Sequence, residues 1–119
     1  MTVNCFKDFE DDYIVFSFNG DILLNNISDI PEQIVSTLNE YTTRKILIDF
    51  TSMKSEFYLL DFIKIVRTIH KEFNSIRIAI VDNSKEIKDS ETIEAILFNN
   101  GIILRILKST DDAKKWLSN

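Results

Sequence analysis

Three short apolar runs constrain the fold of this chain more than any other feature: Lys45–Phe50, Ile76–Val81 and Ile102–Leu107. Each is rich in β-branched residues or leucine, and each runs into a polar cluster of the kind that starts a helix. Strands that alternate with helices in this way build a parallel sheet with helices packed on it.

The segments around these runs complete the order of elements. Residues Val3–Asp8 alternate, and Tyr13-Ile-Val-Phe-Ser-Phe18 is strongly strand-like, so the chain opens on a hairpin with the acidic connection Phe9-Glu-Asp-Asp12. Asn19-Gly20 ends the second strand with two residues that tolerate positive φ. Asp29 and Glu32 have capping-box spacing, and Pro31 falls in the first turn, where its missing N–H costs nothing. Ile27, Ile30, Ile34, Leu38 and Tyr41 then form a stripe at helical spacing. Helix two is expected from a cap at Ser55 to about Phe73, with Leu59, Phe62, Ile63, Val66, Ile69 and Phe73 inward. A third helix runs from about Asp89 to Asn99 and stops at Gly101, where a left-handed cap belongs. Ser109 or Thr110 caps the last helix, Asp111 and Asp112 suit its dipole, and Ala113, Trp116 and Leu117 face inward.

The 119 residues fit one domain, 1–119. With 19 acidic against 14 basic residues and no basic stripe, nucleic acid is not an expected partner. The lone Cys5 has no second thiol for a disulfide or a shared metal. Neither a signal peptide nor a membrane-spanning stretch is expected, which places the chain in the cytoplasm.

Certain segments resemble the STAS superfamily, and within it the SpoIIAA-like (STAS/SEC14-type) proteins. They are Phe18-Asn-Gly-Asp21, Ile46-Leu-Ile-Asp-Phe50, Arg77-Ile-Ala-Ile-Val-Asp82 and, most specifically, the closing Asp112-Ala-Lys-Lys-Trp-Leu117. The resemblance implies an α/β SpoIIAA-like sandwich of order β-β-α-β-α-β-α-β-α, with a mixed, mostly parallel five-stranded sheet and helices packed on it. It also implies a non-enzymatic regulator without a cofactor. The best-understood relatives bind a kinase-like anti-sigma factor and are switched by serine phosphorylation in an Asp-Ser-Ser-Gly-like motif after the third strand. Here that region reads Thr51-Ser-Met-Lys-Ser-Glu56, with no Asp-Ser pair and no glycine, so Ser55 is the equivalent by position alone.

The residues offer few alternatives with chemistry behind them. A phosphate on Ser55 would meet the N-terminal dipole of helix two, although a plain helix cap explains the same serine. Asp49, Asp82 and Lys108 fall near the carboxyl edge of the sheet, where open α/β folds bind ligands, and read as polar strand ends. Asp8, Glu10, Asp11 and Asp12 lack the glycine and distal glutamate of a calcium loop and read as a solvated hairpin tip. His70 and Cys5 have no recognisable catalytic partners.

Helix two carries more apolar residues than one sheet contact needs. Phe57, Tyr58, Leu60 and Ile65 lie outside its main stripe and are the candidate interaction surface, for another protein or for a second copy of the chain. The expectation is therefore a regulatory or protein–protein interaction domain and not an enzyme. The alternative is a carrier or sensor of an apolar, lipid-like small molecule, held between helix two and the sheet.

Overall fold

The computed structural model describes residues 4–10, 12–20, 29–53, 59–82 and 90–118. Its elements run β1 (Asn4–Phe9), β2 (Ile14–Gly20), α1 (Asp29–Leu38), β3 (Lys45–Met53), α2 (Leu59–Glu72), β4 (Arg77–Val81), α3 (Ser90–Asn99), β5 (Ile103–Leu107) and α4 (Thr110–Ser118). The five strands form one sheet in the order β1-β2-β3-β4-β5. β1 pairs antiparallel with β2, and every later neighbour is parallel.

A sheet that grows strand by strand in one direction, through right-handed crossovers, must carry all its crossover helices on one face. Alternation along each strand shows this directly. Ile14, Phe16 and Phe18 of β2, Ile46, Ile48 and Phe50 of β3, and Ile78 and Ile80 of β4 share a core with Ile30 and Ile34 of α1, Val66 and Ile69 of α2, and Leu97 of α3. The intervening residues Val15, Leu47, Ala79 and Val81 pack on the other face against Ala113 and Leu117 of α4. The inward residues expected of the closing helix are thus the ones that cover this face, with Trp116 half-buried at its rim. Both sides of the central strands are dry, which is why β3 and β4 read as continuous apolar runs.

Local chemistry sets the helix ends. Gly101 has φ +83°. The Gly101 amide donates to the Phe98 carbonyl at 2.9 Å, and the Ile102 amide to the Leu97 carbonyl at 2.9 Å. This is a Schellman closure with its apolar contact between Leu97 and Ile102, both buried. Of the two capping candidates for α4, Ser109 does the work: its Oγ accepts from the Asp112 amide at 3.2 Å. At the end of α1, Arg44 donates to the carbonyls of Tyr41 and Thr43, both at 2.8 Å, and stacks 4.5 Å from the Phe73 ring centre.

Three sequence expectations change. Tyr41 lies beyond α1 and is 42% exposed, its ring 4.9 Å from that of Phe9 rather than in the core. β3 continues past Phe50 to Met53 because an irregularity absorbs one extra residue. Ile65, expected on an outer surface, is 1% exposed and belongs to the main core. The arc of α2 that is covered is wider than one sheet contact would produce, since α1 packs along its flank.

Candidate functional site

Open parallel sheets present ligands and partners with the loops at the carboxyl ends of their strands. Here those ends are Gly20 of β2, Met53 of β3, Val81 of β4 and Leu107 of β5. Asp49, Val81 and Leu107 occupy one row across the sheet, because Asp49 pairs with Val81 and Val81 with Leu107. Asp82 and Lys108 stand one step further on, at the opposite parity. The sequence placed the three polar residues near one edge; the register separates Asp49 from the other two by face.

Each has a local structural task or is solvated. Asp49 Oδ1 accepts from the Thr51 amide at 2.9 Å and from the Thr51 hydroxyl at 2.7 Å. The pairs Ser17↔Asp49 and Asn19↔Ser52 leave one residue of β2 opposite two of β3. That is a bulge, and the carboxylate holds the displaced Thr51 amide. The Asp82 amide donates to the Leu107 carbonyl at 3.0 Å, so the β4–β5 ladder extends one residue past β4, and the Asp82 side chain is buried. Lys108 is exposed.

Of the residues singled out for function, Ser55, Phe57 and Tyr58 lie outside the described residues, between β3 and α2. Leu60 lies in the first turn of α2. Ile65 points into the core and drops out of any outer surface. His70 is half-exposed on α2. At the hairpin tip Asp8, Glu10 and Asp12 are exposed, and Asp12 Oδ2 lies 3.5 Å from Lys45 Nζ. Such an exposed pair contributes little.

Over residues 65–73 the space between α2 and the sheet is filled by Ile65, Val66, Ile69 and Phe73. An open cleft of about 710 Å³ lies elsewhere, and Lys7, Glu32, Ser36, Asn39, Thr68 and Glu72 among its lining residues make it polar. Among the described residues, large apolar side chains reach the surface on α3 and β5, where Phe98 is 67% exposed, Ile96 50% and Ile103 47%, and at Phe9 and Tyr41. The clue was the run Ala95-Ile-Leu-Phe98, which puts apolar residues on more of α3 than one sheet contact covers. No helix among the described residues is long and apolar enough to cross a membrane.

By sequence, no known family model and no curated protein matches the chain. Solved structures match it from end to end. A crystal structure of an anti-sigma factor antagonist from Mycobacterium paratuberculosis superimposes with a TM-score of 0.68 at 14% identity, covering 99% of this chain and 96% of the other. An uncharacterised protein with a SpoIIAA-like fold from Shewanella loihica PV-4 gives 0.59 at 19% identity, covering 98% and 93%. The chain has the SpoIIAA-like, or STAS, fold. The anti-sigma factor antagonist SpoIIAA in its unphosphorylated form gives 0.58 at 10% identity, covering 97% and 96%.

Proposed function

We propose that this chain is a non-catalytic regulator that acts by binding another protein, in the manner of an anti-sigma factor antagonist. The observation that carries this reading is the end-to-end match to structures of such antagonists, with nearly the whole of both chains covered. The proposed docking residues are those of the stretch Thr51–Glu56 together with Phe57, Tyr58 and Leu60, which lead in sequence from β3 into α2, and those of the stretch Asp82–Ser84, which follows β4. Ser55 is the proposed phosphoacceptor by position. A phosphate there adds close to two negative charges at the entrance to α2 and would repel an acidic partner surface. A cytoplasmic location suits such a partner.

The fixed geometry nearby supports this assignment. Asp49 and Thr51 hold the bulge of β3, while Val66 and Ile69 anchor α2 to the sheet, so the two elements that flank the proposed stretch in sequence are each fixed in the fold. An apolar ligand between α2 and the sheet finds that space occupied over residues 65–73.

The test is a substitution series read by binding. Purified chain is titrated with the anti-sigma factors of its own genome, and Phe57→Ala, Tyr58→Ala and Leu60→Asp are compared with the unaltered protein. Loss of binding in these variants, with unchanged thermal unfolding, supports the proposed face. Full binding in all three rules it out.

A further inference from the structure

We propose that Glu94 of α3 guards the outer edge of β5, and that this single carboxylate keeps the sheet from extending into a second copy of the chain. β5 is the last strand in the sheet order, so among the described residues no strand lies beside its outer edge. Its sequence, Ile103-Leu-Arg-Ile-Leu107, carries one charge, and Ile103 is half-exposed. Edges of this composition pair readily with other strands unless something blocks them. The opposite edge strand, β1, instead carries exposed Lys7 and Asp8.

The direction of the backbone groups identifies the block. The Asp82 amide donates to the Leu107 carbonyl, so the polar groups of Leu107 face β4. Peptide groups alternate along a strand, and those of Ile106 therefore face outward. The Ile106 amide donates to Glu94 Oε1 at 2.9 Å, in a partly buried bond that spans 12 residues of sequence. An incoming strand would need a carbonyl at this amide. The carboxylate already occupies the donor, and its charge repels the incoming carbonyl oxygen. Shielding from water strengthens both effects.

This device is distinct from the proposed docking face at the start of α2 and stands without it. The experiment compares Glu94→Ala, Glu94→Gln and the double variant Glu94→Ala/Ile103→Lys with the unaltered chain by sedimentation velocity over a range of concentrations. Amide exchange at Ile106 is followed in parallel by NMR. In the unaltered chain the Ile106 amide is expected to be protected. Glu94→Ala should speed its exchange by roughly tenfold at low concentration and add a concentration-dependent dimer. Glu94→Gln keeps an acceptor oxygen and should restore protection. The lysine in the double variant should abolish the added dimer. The proposal is overturned by unprotected exchange at Ile106 in the unaltered chain, which needs no variant to fold. It is equally overturned by an unchanged association state in folded Glu94→Ala, or by a dimer that persists in the double variant.

Discussion

Asp49 Oδ1 accepts hydrogen bonds from both the amide and the hydroxyl of Thr51, two residues further along the same strand. A carboxylate toward the carboxyl end of a parallel strand invites a catalytic reading, and here it holds a bulge. Replacing it removes the acceptor from two donors in a solvent-exposed setting, where each bond contributes about 1 kcal/mol. Asp49→Ala should therefore lower stability by about 1–2 kcal/mol, and Asp49→Asn by less because it keeps a carbonyl oxygen. Urea denaturation followed by circular dichroism measures the difference. If the bulge also positions the neighbouring segment, partner affinity should fall with Asp49→Ala and recover with Asp49→Asn.

The Arg77 guanidinium lies 4.3 Å from the centre of the Trp116 ring and ties β4 to α4, which lies on the face opposite the other helices. Cation–π contacts at half-exposed sites contribute about 1 kcal/mol. Arg77→Ala should lower the unfolding free energy by about that amount. It should also shift the emission of the chain's single tryptophan toward longer wavelength as the ring gains water. An emission maximum that does not move would show that the contact does not shield the ring.

Ile65 distinguishes a core residue from a surface residue. With 1% of its surface exposed, Ile65→Ala should cost about 2–5 kcal/mol through lost burial and the cavity left behind. A surface position would cost less than about 0.5 kcal/mol. Thermal unfolding of the single variant separates the two outcomes.

Gly101 is needed for its backbone angle and not for space. A Cβ built there meets nothing within 4 Å, yet φ is +83°. Gly101→Ala should cost about 1–2 kcal/mol from left-handed strain alone. Gly101→Asn should cost less, since asparagine tolerates that region better. Equal midpoints for the glycine and alanine proteins in urea would contradict this.

Much of the fold is legible in the residues because both periodicities are clean. Tyr13–Phe18 alternates, and structure sends Phe16 and Phe18 to one core and Val15 to the other. Ala113 and Leu117 are four apart and both face the sheet. Gly101 marks the end of α3 because its conformation is local. What escaped depends on neighbours. The covered arc of α2 is set by α1 lying beside it, so Ile65 could not be assigned from the helix's own sequence. The bulge at Thr51 is fixed by the register between β2 and β3, which no single strand encodes. The exposed apolar side chains of α3 follow from β5 being an edge strand, a property of sheet order. At the candidate site, the positions of Asp49 and Asp82 along the chain were readable, whereas their separation by face was not.

The most direct test of the proposed regulatory role is a calorimetric titration of the full chain, and of Ser55→Glu, with the anti-sigma factors of the same genome. Expected is saturable binding of one such protein by the unaltered chain, weakened at least about tenfold by the glutamate, a difference of about 1.4 kcal/mol. Absence of binding to every anti-sigma factor would contradict the account, and equal affinity of both forms would remove Ser55 as the switch.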